Sequence, residues 1–199
     1  MPKRIFLGLI LISMILISIW IYQKVKYQRY LENFKISLNS PKLGEIISDW
    51  NRNDHNYLVR DVQEISETDT AIVFVQVNRL YEGYCKLVEG PNQKYQIKRC
   101  EYGSVGDKNW FRSRKIKTNK GSYGVFQGEN ANGKIKMILI SKKEFNNESE
   151  LQSKKNIQIL VPKTPFFYFI EKIDPKLPIE DFYNVAYIDQ KGKSIDFFR

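Results

Sequence analysis

Two cysteines have the spacing that most clearly indicates chemistry in this sequence. Cys85 and Cys100 lie symmetrically about the turn sequence Gly-Pro-Asn-Gln-Lys-Tyr at residues 90–95. A hairpin closed at that turn places the cysteines opposite each other, with Cα atoms about 4.5 to 5.5 Å apart, a separation that a disulfide tolerates. The same register pairs Val88 with Ile97. We therefore predict a cross-strand disulfide, which closes a loop of about 15 residues and contributes roughly 3 kcal/mol.

The oxidation state of this pair predicts where the domain lies, because disulfides persist in oxidising compartments. A bridge indicates a domain outside the cytoplasm, and two reduced thiols in a cytoplasmic domain are the alternative. Zinc binding is a third interpretation of the same residues. The sequence has no C-x-x-C motif, and His55 is its only histidine, so we predict no metal site.

The residues expected of a catalytic site are largely missing. His55 lies in a polar run typical of a solvated loop, and no G-x-S-x-G motif supplies a nucleophile for it to activate. No Gly-rich loop precedes a helix, and no spacing singles out two of the 22 acidic residues as a pair for glycoside hydrolysis. We predict no catalytic residue, no cofactor and no enzymatic activity.

One segment concentrates positive charge beside aromatic residues. Its candidate binding residues are Trp110, Phe111, Arg112, Arg114, Lys115, Lys117 and Lys120. On a strand, Arg112 and Arg114 share a face, which can hold a phosphate-bearing polymer while Trp110 or Phe111 stacks on a base or sugar. The other interpretation, which we prefer, is a charged edge strand that resists aggregation.

Among the elements that must position these residues, the N-terminal one is the clearest. Residues 5–22 contain no charge, and twelve of the eighteen are Ile, Leu or Phe. A helix of that length covers roughly 27 Å, close to the hydrocarbon core of a bilayer. We predict an uncleaved signal-anchor, a single transmembrane helix. A signal peptide that is cleaved late is the alternative, although residues 19–24 offer no small pair for cleavage.

The distribution of charge along the sequence bears on possible partners and on the orientation of the predicted transmembrane helix. The formal net charge is +10, but residues 1–30 hold five Lys or Arg and no acid, which leaves 27 basic and 22 acidic side chains beyond them. A mildly basic domain is ordinary beside an anionic membrane. Nearly equal numbers of basic residues lie before and after the apolar run, so the positive-inside rule does not decide the orientation of the predicted helix. The cysteines favour an N-terminus in the cytoplasm and a C-terminal domain outside the cell membrane.

The sequence divides into three parts. Residues 1–22 are the predicted cytoplasmic tip and transmembrane anchor, residues 23–56 a juxtamembrane helical connector, and residues 57–199 a β-rich extracytoplasmic domain. In the connector, the spacing of apolar residues predicts that the first helix continues over residues 23–38 and that a short helix covers residues 43–50.

From residue 57 the sequence consists of short apolar or alternating runs separated by Gly, Asn, Asp and Pro, a pattern typical of strands. The predicted strands are residues 57–65, 71–77, 81–89, 94–102, 110–117, 123–128, 134–141, 156–161, 166–170, 184–188 and 194–198. Turn sequences at residues 129–133 and 189–193 predict two hairpins. No long helical pattern separates the strands, so we predict a mainly β fold, an antiparallel β-sandwich or open barrel.

Five short motifs follow one another along the chain: Tyr81-Glu-Gly-Tyr-Cys-Lys-Leu-Val-Glu-Gly, Tyr95-Gln-Ile-Lys, Tyr123-Gly-Val-Phe-Gln-Gly-Glu-Asn, Gly133-Lys-Ile and Tyr187-Ile-Asp-Gln-Lys-Gly-Lys-Ser-Ile. In this order they resemble small membrane-anchored or exported proteins of Gram-positive bacteria, over about residues 70–199. The resemblance implies an extracytoplasmic β domain and carries no functional residue over to this sequence.

The sequence leaves two classes of function open. In the first, a non-enzymatic envelope protein held in the lipid bilayer uses its β domain to contact another envelope protein or peptide. In the second, the basic segment at residues 112–120 binds an anionic polymer, either nucleic acid or a phosphate-rich wall glycan. A pilin-like subunit also joins an apolar helix to a β domain, but the acidic residue expected early in that helix is missing from residues 5–22.

Overall fold

The computed structural model of the chain describes residues 2–105, 111–130, 133–141, 157–176 and 185–195. Two helices come first, α1 (Pro2–Leu31) and α2 (Leu43–Asn51). The strands in the described ranges are β1 (Tyr57–Glu64), β2 (Thr70–Val77), β3 (Tyr81–Glu89), β4 (Tyr95–Ser104), β5 (Phe111–Thr118), β6 (Gly121–Glu129), β7 (Ile135–Ile140), β8 (Ile157–Leu160), β9 (Phe166–Ile173), β10 (Val185–Asp189) and β11 (Ser194–Ile195). Each lies where the sequence predicts a strand, and residues 110, 156, 184 and 196–198 of the predicted strands lie outside the described residues.

The strands form three antiparallel sheets. Sheet A contains β1, β2, β3 and β4 in chain order, sheet B has the order β5-β6-β9, and sheet C has the order β11-β10-β7-β8. The prediction of a mainly β, antiparallel fold is confirmed. The described strands do not close into a barrel.

Apolar contacts stack the elements in four layers. Ile47 of α2 packs on one face of sheet A. The opposite face of sheet A packs on sheet B, where Phe74 and Val125 belong to one buried cluster. The other face of sheet B packs on sheet C, with Phe126 and Ile138 in the next cluster. The predicted sandwich therefore has a third sheet.

Strand β2 shows why the sequence around it is almost continuously apolar. Val73, Val75 and Val77 face α2, whereas Ile72 and Phe74 face sheet B, and all five are fully buried. A strand covered on both faces loses the alternation of apolar and polar residues that a half-exposed strand shows.

The described apolar side chains of α1 are exposed. Ile12, Leu16 and Trp20 each expose more than half of their surface, and the Lys24 ammonium lies 5.0 Å from the centre of the Trp20 ring. Within the described part of the chain, no helix is long and apolar enough to cross a membrane.

Helix α1 ends at Leu31, so the helix predicted over residues 23–38 is too long at its C-terminal end. The reason is tertiary packing. Phe34 lies so close to Gly90 that an added Cβ there would be 2.4 Å from the Phe34 Cγ. Ile36 forms an isolated antiparallel bridge with Tyr95. The segment after α1 thus joins the core of sheet A as an extended chain.

The disulfide between Cys85 and Cys100 is confirmed, with the two Cα atoms 4.0 Å apart. The predicted register beyond it is wrong, because Ile97 pairs with Leu87 rather than with Val88. A bulge between the disulfide pair and the Leu87–Ile97 pair adds one residue to β4. The extra residue turns the β4 side chains beyond the bulge to the other face of sheet A. Without it, Cys100 and Ile97 would point to opposite faces of sheet A; with it, both face α2.

The hairpin predicted across residues 129–133 does not form. Strand β6 pairs with β5 and β9, and β7 pairs with β8 and β10, so the chain passes from sheet B to sheet C between these strands. Residues 131 and 132 of the predicted turn lie outside the described residues. The buried Asn130 side chain holds this crossing. Its amide donates to the carbonyls of Ile135 and Pro162, at 3.0 and 3.2 Å, and its oxygen accepts from the Ile135 N–H.

The second predicted hairpin is confirmed. Tyr187 pairs with Ile195 in the β10–β11 ribbon. The Asp189 carboxylate accepts from the backbone N–H groups of Lys191 and Lys193, each at 2.8 Å. Gly192 supplies the positive φ, +81°, that the turn requires.

Candidate functional site

The structure does not bring the basic segment onto one open face. Trp110 lies outside the described residues, and Phe111 is buried between sheets B and C. Arg112 and Arg114 share a face of β5, as expected, but that face turns toward sheet A. The other lysines diverge from them: Lys115 donates to the Pro175 carbonyl, and Lys117 and Lys120 are exposed. Strand β5 is an outer strand of sheet B.

Arg112 bridges the two sheets. Its guanidinium donates to the carbonyl oxygens of Glu82 and Ser104, at 3.3 and 2.5 Å. Gly103 makes room for it, since a Cβ there would lie 2.4 Å from the Arg112 Nη1 atom. Burial, followed by the like charge of Arg114, lowers the pKa of Arg112, and the Glu82 carboxyl acts in the opposite direction. No carboxylate of the described residues forms a salt bridge with Arg112.

Arg114 pairs with a carboxylate that is shared. The Glu101 oxygens lie 2.6 Å from the Arg99 Nε atom and 3.5 Å from the Arg114 Nε atom. The Tyr84 hydroxyl also donates to Glu101, at 3.2 Å. Two arginines therefore divide one negative charge, and the neighbouring Arg112 adds a third positive charge.

Glu82 is the one acidic side chain of the described residues that is buried, with 1% of its surface exposed. Gln76 donates to its Oε1 atom at 2.8 Å, and Arg60 lies 3.9 Å away. Burial raises the pKa of Glu82 to about 7, against the opposing effects of Arg60, Gln76 and Arg112. Within the described residues, three buried side-chain atoms have no hydrogen-bond partner: Glu82 Oε2, Gln127 Oε1 and the Tyr168 hydroxyl.

A small cleft opens between the sheets at this polar cluster. We call it the basic cleft; it is lined by Tyr84, Glu101, Tyr102, Arg112, Ser113, Arg114, Val125 and Gln127, and its volume is about 60 Å³. A space of this size and polarity accommodates a few water molecules or one small polar group. Gln127, one of the lining residues, is only 3% exposed, and its amide oxygen is buried without a hydrogen-bond partner among the described residues.

Tyr102 connects the basic cleft to a cluster of rings. His55, Tyr57 and Tyr81 each meet the Tyr102 ring edge to face, with centroids 6.4, 6.0 and 6.2 Å away. We call these four residues the aromatic surface. Burial and Tyr102 raise the pKa of Tyr57 to about 12, against the hydrogen bond that its hydroxyl accepts from Asn53, so Tyr57 is neutral at physiological pH.

The tautomer of His55 follows from its partner. The Asn78 amide oxygen accepts from the Asn56 N–H at 2.8 Å, which fixes the orientation of the amide. The Asn78 nitrogen must then donate to the His55 Nδ1 atom, 3.0 Å away. Neutral His55 therefore carries its proton on Nε2, where it can donate to a ligand.

A second cleft lies on the other side of the aromatic surface, between α2 and the start of β1. Its volume is about 210 Å³, and its lining includes His55, Tyr57, Glu45 and Asp49. We call it the acidic cleft. Tyr57 borders the acidic cleft, on the α2 side of sheet A, where the aromatic surface lies. The basic cleft lies between sheets A and B and meets the aromatic surface at Tyr102, on the outer strand β4.

Sequence reasoning missed this arrangement. It treated His55 as a solvated loop residue and assigned Tyr81 and Tyr102 only to strands, since nothing in their spacing shows that three tyrosines from β1, β3 and β4 meet. Gln127 gave no signal either. The sequence indicated the positive charge of Arg112 and Arg114, but it did not indicate that both side chains face sheet A.

No family model, curated protein or solved structure matches this chain. The proposed function therefore rests on the geometry of the site. Within the described residues, no group of three or more His, Cys, Asp or Glu side chains is placed to hold a metal ion.

Proposed function

We propose that this protein is a non-enzymatic, single-pass membrane protein of the cell envelope whose β domain binds an extended segment of another envelope protein or peptide. The observation that carries the proposal is the aromatic surface between the basic and acidic clefts. Within it Tyr81 and Tyr102 are 36% and 37% exposed, whereas Tyr57 is buried beneath them. Exposed aromatic rings provide large contact area at low entropic cost, which is why tyrosine is enriched in binding sites. Clefts of opposite charge on either side suit a chain that carries both signs.

Membrane attachment rests on residues 5–22. This uncharged run begins before the part of α1 whose side chains are described, and from Ile12 to Ile21 the described apolar side chains are exposed on all sides of the helix. A helix that is apolar all round requires an apolar environment. Attachment to a bilayer confines the domain near membrane-bound partners, so a weak contact suffices for recognition.

The location outside the cytoplasm is open to a direct test of the cysteines. We expect neither Cys85 nor Cys100 to react with a thiol reagent in intact cells or in denatured, unreduced protein, and both to react after reduction. The physical reason is that a disulfide persists in an oxidising compartment. Free alkylation of both thiols in protein from its native host would contradict this location.

Binding of an anionic polymer receives less support. Arg112 and Arg114 turn toward sheet A, and Phe111 is buried. The exposed charge on this segment is that of Lys117, Lys120 and Arg114, and Arg114 is paired with Glu101. Phosphate contacts weaken steeply with ionic strength, whereas apolar contacts do not. A partner retained at high salt therefore favours the aromatic surface.

Photocrosslinking in native membranes tests the proposed contact. A benzophenone side chain placed at Tyr102 should give an adduct with one defined envelope protein or peptide, in membranes washed with carbonate to remove peripheral proteins. The same group at Phe166 is a matched control, because Phe166 and Tyr102 are each 37% exposed and lie on different sheets.

We expect the adduct from position 102 and none of the same mass from position 166. Leu80 is the last residue of the β2–β3 turn and is 63% exposed beside Tyr81, so a benzophenone there should capture the same partner. Equal adducts from positions 102 and 166 would contradict the proposal. So would loss of the protein from the carbonate-washed membranes, or turnover of a wall or nucleic-acid substrate by the purified protein.

A further inference from the structure

We infer that the basic cleft binds the C-terminal carboxylate of a peptide chain, with the two arginines on the carboxylate oxygens and Gln127 on the adjacent backbone N–H. This inference rests on the proposed function, because it names the part of the partner that enters the site.

The charge of the cleft selects an anion. Among the described residues, Arg112 donates hydrogen bonds only to backbone carbonyl oxygens, and Arg114 shares the Glu101 carboxylate with Arg99. The like charges of Arg112 and Arg114 face the same cleft. A planar carboxylate matches the planar fork of a guanidinium, so it relieves this repulsion with directed hydrogen bonds.

Gln127 specifies what lies next to the anion. A buried amide oxygen without a donor is costly, and a ligand that supplies an N–H removes that cost. The side chain is held beside the arginines by its strand, because Gln127 pairs with Arg112 on β5 and with Tyr168 on β9. A simple anion leaves the Gln127 oxygen unpaired, whereas the last residue of a peptide carries a carboxylate and an N–H on the same Cα.

The size and surroundings of the cleft favour a chain end over a larger group. A volume of about 60 Å³ holds only a few non-hydrogen atoms, so the rest of the ligand must extend out of it. Tyr102 lines the cleft from the outer strand β4, and its ring belongs to the aromatic surface on the α2 side of sheet A. The residues that precede the terminal carboxylate would therefore pass over the edge of β4 to reach the aromatic rings.

A ligand series on the full-length protein in detergent micelles tests the chemistry. The probes are N-acetyl-alanine, its C-terminal amide, propionate, and an N-acetylated tetra-alanine with a free carboxylate. We expect N-acetyl-alanine to bind at least tenfold more tightly than the amide or propionate, and the tetrapeptide to bind more tightly still. Equal binding of acid and amide would overturn the inference. So would no binding in the millimolar range, or a tetrapeptide that binds no better than N-acetyl-alanine.

Two variants assign the contacts. Arg114→Gln should weaken binding of the tetrapeptide at least tenfold, whereas Lys117→Gln removes the same charge from an exposed position of β5 and should change it less than twofold. Equal losses would show a nonspecific charge effect and overturn the inference. Gln127→Leu should make N-acetyl-alanine bind no better than propionate; if that variant does not fold, the ligand series and Arg114→Gln still decide.

The two proposals can fail separately. The benzophenone at position 102 is repeated in the Arg114→Gln background. A partner adduct that persists unchanged there, together with no peptide binding, removes the carboxylate site and leaves the proposed function standing. Peptide binding to the purified protein without any membrane adduct would remove the proposed function and leave the carboxylate site standing.

Discussion

Replacing Asn130 with Asp is expected to lower the free energy of unfolding by about 3 to 5 kcal/mol, the range measured when a buried charge is left uncompensated. The Asn130 amide nitrogen donates to the carbonyls of Ile135 and Pro162. An Asp has no N–H to give, and its carboxylate would face two carbonyl oxygens in a site where only 2% of the residue is exposed. The crossing between sheets B and C would lose its central hydrogen bonds.

Chemical denaturation of the full-length protein, followed by tyrosine and tryptophan fluorescence, measures this loss. Asn119→Asp is the matched control, because Asn119 is exposed and, among the described residues, its side chain accepts a single long hydrogen bond, from the Asp69 N–H at 3.4 Å. The control should change the free energy of unfolding by less than about 0.5 kcal/mol. A similar effect of both variants would show that the Asn130 bonds do not stabilise the crossing.

Glu82→Gln is expected to abolish a pH dependence of stability that spans about 2 to 3 kcal/mol in the wild-type protein. Burial raises the folded-state pKa of Glu82 from 4.5 to about 7, so the folded protein binds this proton more tightly than the unfolded chain. The stabilising effect is fully present below about pH 4.5 and is lost as the pH rises through 7. At pH 8 a neutral Gln should therefore be the more stable residue.

Thermal or urea denaturation between pH 5 and pH 8 checks this result. The Gln side chain retains an oxygen for the bond from Gln76, and its amide can donate where the carboxylate could not. Glu32→Gln, at an exposed position after α1, should leave the pH profile of the wild type unchanged. Wild-type stability that rises between pH 5 and pH 7 would contradict the buried, proton-retaining Glu82.

Local sequence was sufficient for most of the elements and for one covalent bond. Symmetry about a turn predicted the bridge between Cys85 and Cys100, because opposed positions in a hairpin must lie close together. The pairing of β6 could not be predicted in the same way. A short turn with a glycine is typical of a hairpin, but it fits equally well a crossing in which the Asn130 side chain replaces the strand-to-strand hydrogen bonds.

The candidate site was less predictable because it depends on stacking. Nothing in the alternation of β5 shows whether Arg112 faces solvent or another sheet, since both environments accept an arginine whose donors are satisfied. The same holds for Gln127, whose burial follows from the position of β6 in the middle of sheet B. Contacts between sheets decide these environments, and residues far apart in the chain supply them.

The order of strands in sheet B has a consequence for how the chain folds. Sheet A pairs only consecutive strands, so it can form as soon as β4 is available, but β6 must wait for β9, which follows β7 and β8 along the chain. Non-local pairing of this kind slows folding, because a long loop must close before its contacts form. During that interval β6 has an unpaired edge, a template for aggregation. We therefore expect a nascent chain to be most prone to aggregation between the emergence of β6 and the emergence of β9.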